Sequence, residues 1–159
     1  MAVEIERKFL VCGDGWKSAE PVLFRQGYLS TDKNRVVRVR IAGDSAWLTV
    51  KSLTSMMSRD EFEYPVPVSD ADAMLKLCEG PLIEKYRRNI PLANHIWEVD
   101  EFFGDNAPLV VAEIELTSED EVFETPDWVG VEVTDDPRYF NANLCINPYS
   151  MWPENVATD

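Results

Sequence analysis

The sequence has little of what would place it in several common protein classes. Its three cysteines, Cys12, Cys78 and Cys145, are odd in number and far apart, with no CxxC pair. That excludes a disulfide framework and a cysteine-based zinc site. His95 is the single histidine, in a turn-like stretch from Pro91, and reads as a solvent-exposed turn residue rather than a catalytic base. No apolar run is long enough to cross a bilayer, and there is no N-x-[ST] sequon. Neither a Walker-type nor a GxGxxG loop occurs, since Gly13-Asp14-Gly15 lacks the remaining spacing. Positive charge is scarce: 15 Lys and Arg stand against 29 Asp and Glu, a net charge of −14. Nucleic-acid backbones and anionic membranes repel such a surface. The chain begins Met1-Ala2-Val3-Glu4 without a basic or apolar leader pattern, so a cytoplasmic location is expected.

What is present is alternation. A chain of 159 residues, 45% of them hydrophobic, is long and apolar enough for one domain with a real core. Apolar and polar residues alternate over 3–11, 35–41, 47–51, 59–68, 82–90, 96–103 and 110–116, with a shorter run at 24–29, predicting eight strands. Turn chemistry at 42–45, 91–95 and 104–108 separates them. Pro65 and Pro67 cannot donate to a ladder, so their strand should lie at an edge or leave the sheet there. Three helices are expected: one from a capping box at Ser69–Asp72 towards Gly80, a short one from Ser118 to Glu124, and one begun at Thr134 or Asp135 with Pro137 in its first turn. Residues 147–159 read as an irregular tail beyond a domain over 1–146. Consecutive strands with short connections predict a mainly β fold, an eight-stranded antiparallel barrel, because closure removes exposed edges.

One face of those strands is almost wholly charged. Residues at i and i+2 share a face. Glu4, Glu6 and Lys8 lie on one, followed by Arg38 and Arg40, Lys51, then Arg59, Glu61 and Glu63. Lys85 and Arg87, Glu98 and Asp100, and Glu113 and Glu115 complete the set. Eight acids and seven bases sum to −1, inside a chain of −14. Neighbouring like charges on one face should repel unless something bridges them, and buried charges without partners are costly. Two divalent cations would turn the lining positive, which calls for an anion. Paired carboxylates roughly 6–7 Å apart along a strand can converge on a hard cation. Arginines present bidentate forks to phosphate oxygens, and lysines act as compact point charges. Polyphosphate with its metal is the natural occupant, and a metal-activated water attacking the terminal phosphorus the natural chemistry.

Glu4-Ile5-Glu6-Arg7-Lys8-Phe9-Leu10 resembles the N-terminal signature of the CYTH superfamily, the triphosphate tunnel metalloenzymes. Gln26-Gly27-Tyr28-Leu29, Val37-Arg38-Val39-Arg40, Leu48-Thr49-Val50-Lys51 and Arg59-Asp60-Glu61-Phe62-Glu63 resemble successive strands of that family. Glu84-Lys85-Tyr86-Arg87, Trp97-Glu98-Val99-Asp100, Ala112-Glu113-Ile114-Glu115 and Arg138-Tyr139-Phe140-Asn141 continue the series. The similarity covers residues 1–146 and is nearest to short bacterial inorganic triphosphatases. It implies a charged tunnel open to solvent, binding a triphosphate with Mg2+ or Mn2+. Glu4, Glu6, Glu113 and Glu115 are then implied metal ligands, with Glu61, Glu63, Glu98 and Asp100 around them or at a second metal. Lys8, Arg38, Arg40, Lys51, Arg59, Lys85, Arg87 and Arg138 are the implied phosphate-binding set, and Glu4, Glu6, Lys85 and Glu115 the implied catalytic one. Pro137, Phe140 and Ala142 depart from the lysines found around that helix in relatives.

Hydrolysis of inorganic triphosphate to pyrophosphate and phosphate is the leading expectation. Nucleoside or thiamine triphosphate hydrolysis, class IV-type cyclisation of ATP, and a non-catalytic polyphosphate-binding module stay open. The partner is a small triphosphate, with neither extended nucleic acid nor membrane. The oligomeric state is open, a homodimer included.

Overall fold

The computed structural model describes residues 2–153. Alternation gives nine strands: β1 (Ala2–Val11), β2 (Val22–Ser30), β3 (Val36–Ala42), β4 (Ser45–Leu53), β5 (Ser58–Val66), β6 (Glu79–Leu92), β7 (His95–Phe102), β8 (Val110–Leu116) and β9 (Val129–Glu132). They pair in the order β5-β4-β3-β2-β6-β7-β8-β1-β9, and an extra β5–β1 pairing closes the first eight into a barrel. Every pairing is antiparallel. The closing seam is short, running from Ala2 opposite Glu61 to Ile5 opposite Ser58. The remainder of β5, including Pro65, pairs with β4 alone, so the missing proline donor falls on an open edge. Tight hairpins set the register: Ala42 faces Ser45 across Gly43 and Asp44, with Gly43 at φ +59°. Leu92 faces His95 across a turn in which Ala93 takes φ 54°.

The barrel places its larger apolar surface outside. Phe9, Trp97, Val99, Ala112, Ile114 and Leu116 are buried under Trp16, Phe123 and Trp128. Val39, Ile41 and Ala46 are buried under Ala71 and Leu75 of helix α1 (Val68–Leu75). Gly27, on the outer face of β2, leaves room for Cys78, where an added Cβ would meet the sulfur at 2.8 Å. The inward rows change character along the barrel. Lys8 is followed by Leu10, Asp100 by Phe102 and Arg38 is preceded by Val36, while Ile83 and Val111 precede Lys85 and Glu113. These apolar positions form a core with Leu144, Cys145 and Trp152. Helix α2 (Asn141–Ile146) supplies Leu144 and Cys145, so the chain's C-terminal part plugs one end of the barrel.

Several expectations change. α1 begins without a side-chain cap: Pro67 is its N-cap, and the Ala71 amide donates to the Pro67 carbonyl at 3.0 Å. No helix spans 118–124. Glu121 instead accepts from the Thr117 amide at 2.5 Å and pairs with His95, fixing a turn over 118–121, while Phe123 packs on Trp97. His95 is therefore half-buried and partnered, not a free turn residue. The helix expected from Thr134 is a 3-10 turn at Pro137–Tyr139, capped by Asp136, followed by α2. Beyond Asn147, expected to be irregular, Tyr149–Met151 form another 3-10 turn and Trp152 is 1% exposed. Among the described residues no helix is long and apolar enough to cross a membrane.

Candidate functional site

The inward charged faces converge on a cavity of about 210 Å³. Antiparallel register builds it: Glu6 lies opposite Glu115, Lys8 opposite Glu113, Glu98 opposite Glu113, and Glu4 opposite Arg59. Glu4, Glu6, Lys8, Arg38, Arg40, Lys51, Arg59, Glu61, Glu63, Arg87, Glu98, Glu113 and Glu115 all line it. Of the inward set, Lys85 and Asp100 do not. They lie one step towards the plug, 0% and 1% exposed, and pair at 2.7 Å. Their removal leaves the lining charge at −1, because the pair is neutral. Arg138 also stands apart from the lining, its guanidinium against Asp136 and 4.5 Å from the Trp152 ring centroid.

Charge is layered by depth. Glu63 and Glu115 are exposed at the mouth, whereas Lys8, Arg38 and Lys51 are buried. Lys51 reaches Glu4 at 2.8 Å and Glu61 at 3.4 Å. Lys8 reaches Glu6 at 2.8 Å and Glu113 at 3.2 Å. Although burial opposes ionisation, the lysines hold the Glu4 and Glu6 carboxyls down at about 2. Glu115, at the mouth, has no cationic partner among the described residues. Burial raises Glu115 above the ordinary range, and the charges of Glu4, Glu98, Glu6 and Glu61 raise it further. Glu61 and Glu98 shift the same way, first by burial and then by neighbouring carboxylates. Crowded carboxylates of this kind are a hard oxygen donor set of the sort divalent cations take. Among the described residues no three acidic, His or Cys side chains stand close enough to hold an ion as they are. Two lysine ammonium groups occupy the carboxylates in the conformation seen, so a cation would have to displace them.

The basic side has the complementary shortage. Arg40 and Arg59 have no carboxylate partner among the described residues, and the buried Nε of Arg38 has no hydrogen bond. Arg40 and Arg87 each stack 4.8 Å from the Phe24 centroid, and Arg59 lies 4.5 Å from that of Phe140. Aromatic faces stabilise guanidinium groups without consuming their donors. Burial, with the Arg38 and Arg87 charges, depresses Arg40 well below its usual range. An anion would relieve that. Deeper still, Arg87 grips Asp100 by two bonds, 2.7 and 2.8 Å, and Asp100 is held at about 2 despite its burial. Burial pushes Lys85 down to about 7, with Arg87 and Arg40 adding to it against the pull of Asp100.

Gln26, Tyr28 and Asn141 complete the site. Tyr28 and Asn141 line the cavity, while Gln26 is wholly buried behind it. Charge counting passes over them because they are neutral. The signals in the sequence for Gln26 and Tyr28 are their inward parity on β2 and the resemblance of Gln26-Gly27-Tyr28-Leu29 to a family strand.

The molecule as a whole matches known proteins. The CYTH domain model fits residues 2–141. An inorganic triphosphatase of Acetivibrio thermocellus is 53% identical over 156 residues, 97% of this chain and all of that protein. One of Nitrosomonas europaea is 39% identical over 150 residues, covering 91% of this chain and 97% of its own. The crystal structure of the inorganic triphosphatase NE1496 superposes with a TM-score of 0.64 at 36% identity, covering 92% of this chain and 96% of that one. A closed eight-stranded barrel with a charged interior and matches over nearly the full length lead to one conclusion: the chain belongs to the CYTH domain family.

Proposed function

We propose that the chain hydrolyses inorganic triphosphate to pyrophosphate and phosphate with a divalent cation, Mg2+ or Mn2+. The observation that carries the reading is the convergence on one carboxylate-rimmed cavity of Arg38, whose buried Nε is unbonded, with Arg40 and Arg59, which have no carboxylate partner among the described residues. Close relatives that bear the inorganic triphosphatase name support it.

In this reading Arg38, Arg40 and Arg59 clamp phosphate oxygens through their forks, and Arg87 adds charge from the wall. Lys8 and Lys51 leave Glu6, Glu113 and Glu4 and turn their ammonium groups to the phosphates. Glu4, Glu6, Glu113 and Glu115 then hold the cation, with Glu61, Glu63 and Glu98 nearby. When bound, the cation supplies charge neutralisation and Lewis acidity at the phosphoryl oxygens. Lys85, poised near neutrality, holds or moves a proton at Nζ while the terminal phosphorus exchanges its bridging oxygen for that of water. The catalytic unit is residues 1–146; residues 147–153 lie outside the lining, and 154–159 lie outside the described residues. Three free cysteines fit a reducing cytoplasm.

The test is phosphate release from tripolyphosphate, ATP and thiamine triphosphate, each with Mg2+, Mn2+ or EDTA, with cyclic AMP followed in the ATP reaction. Metal-dependent turnover greatest for tripolyphosphate is expected. Tight tripolyphosphate binding without turnover of any substrate would replace the enzyme with a binding module.

A further inference from the structure

The neutral residues of the site, Gln26, Tyr28 and Asn141, join Lys85, Asp100 and Arg40 in one connected hydrogen-bond network. Lys85 Nζ donates to Asp100 at 2.7 Å and to the side-chain oxygen of Asn141 at 2.9 Å. Gln26 Nε2 donates to the same Asn141 oxygen at 3.4 Å and to the Tyr28 hydroxyl at 2.8 Å. Arg40 Nε donates to Gln26 Oε1 at 2.8 Å. The orientation of both amides is forced. The Arg40 guanidinium and the Lys85 ammonium can only donate, so each must face an amide oxygen. With its oxygen fixed towards Arg40, Gln26 must present its NH2 to Asn141 and Tyr28.

We infer that Asn141 and Gln26 are positioning residues of the proposed triphosphatase, setting the directions of the Lys85 ammonium, the Arg40 guanidinium and the Tyr28 hydroxyl. This rests on the functional reading above. Asn141 is the first residue of α2, whose Leu144 and Cys145 are buried in the plug core with Trp152. The C-terminal plug therefore does more than close the barrel: it inserts an acceptor into the reactive end. Lys85 is wholly enclosed and has two hydrogen-bond acceptors, Asp100 and Asn141. Loss of the second would let the ammonium swing towards Asp100. Gln26, equally enclosed, ties Arg40 by hydrogen bonds to the Lys85 side of the cavity.

The experiment compares Asn141→Leu and Asn141→Asp in the full-length chain, with tripolyphosphate and Mg2+. Asn141→Leu keeps similar bulk but removes the acceptor, and kcat should fall by about 10²-fold with KM little changed. Asn141→Asp restores an oxygen facing Lys85 and Gln26, so kcat should recover, while its added negative charge raises KM. Equal losses in the two variants, or wild-type kcat in Asn141→Leu, would overturn the inference. If Asn141→Leu does not fold, Gln26→Met carries the same comparison, with a lowered kcat expected and an unchanged one decisive against it. A wild-type chain that does not turn over tripolyphosphate sinks the activity itself. That outcome is distinct from active wild type matched by active variants.

Discussion

Lys85 donates to Asp100 at 2.7 Å, and both are sealed from solvent although each shares a strand face with a cavity-lining neighbour. The two partners are not equivalent. Asp100 is also held by two bonds from Arg87, so removing Lys85 leaves its charge paired. Among the described residues, removing Asp100 takes the one carboxylate from enclosed Lys85 and leaves Arg87 with Glu98 alone, at 3.3 Å. Lys85→Met should therefore change stability by only about 1 kcal/mol while lowering turnover by about 10²-fold or more. Asp100→Leu should cost about 3–5 kcal/mol. Chemical denaturation of both variants beside the wild type measures the asymmetry, and equal losses would show the pair is balanced.

Glu6 faces Glu115 across β1 and β8 and is paired with Lys8. Glu6→Gln keeps the shape and a hydrogen-bonding oxygen but removes the charge a cation would need. Metal-dependent turnover should disappear with the circular dichroism spectrum unchanged. Added Mg2+ should raise the melting temperature of the wild type and not of the variant, because an ion that binds only the folded state stabilises it. Wild-type turnover in Glu6→Gln takes Glu6 out of the metal site.

The barrel and most of its lining were legible because alternation fixes the side of the sheet on which a residue falls. Glu4, Glu6, Lys8, Arg38, Arg40 and Lys51 reach the cavity by parity alone. Parity carries no information about depth along the barrel axis, so Lys85 and Asp100 looked like lining residues and are buried behind it. The plug is legible only in part: the helix expected from Thr134 or Asp135 forms later and shorter, as α2. Asn141–Ile146 is too short to show a helical period, and Trp152 stands in a segment without periodicity. β9 has four residues, too few to alternate convincingly. The segment around Glu121 carried a helical cap signal that lost to the pull of His95 and the aromatic cluster holding Phe123.

The mouth carboxylates give stability a pH dependence of definite sign. Glu61, Glu98 and Glu115 have folded pKa values raised above the ordinary carboxylate value. Between the unfolded and folded values the native state holds the extra proton, so stability falls as pH rises through that window. Glu4, Glu6 and Asp100, held at about 2, act oppositely and lose their contribution only below about pH 4.5. The metal-free protein should thus melt highest in mildly acid buffer, lower near neutrality and lower again in strong acid. Mg2+ should lift the neutral value most, since it replaces the protons on crowded carboxylates. A melting temperature in EDTA that climbs steadily from about pH 5 to pH 7 contradicts the assignment.

Two hairpin and strand positions give opposite backbone predictions. Ala93 occupies the left-handed region at φ 54°. Its Cβ costs about 1–2 kcal/mol there, against about 0.5–1 kcal/mol for the extra unfolded-state freedom of glycine. Ala93→Gly should therefore raise the melting temperature by about 2 °C without touching turnover, since Ala93 lies in the β6–β7 hairpin outside the cavity lining. Gly27 has an ordinary φ but no space: an added Cβ would lie 2.7 Å from Leu82 and 2.9 Å from the Cβ of Cys78. Gly27→Ala must push β2 inwards or displace Cys78 outwards. Overpacking of this kind costs about 1–3 kcal/mol, and it acts on the strand that carries Gln26 and Tyr28. Gly27→Ala should lose both stability and kcat, and combining it with Cys78→Ala, which removes the sulfur, should recover part of each. If the double variant is no better than Gly27→Ala alone, the strain lies with Leu82.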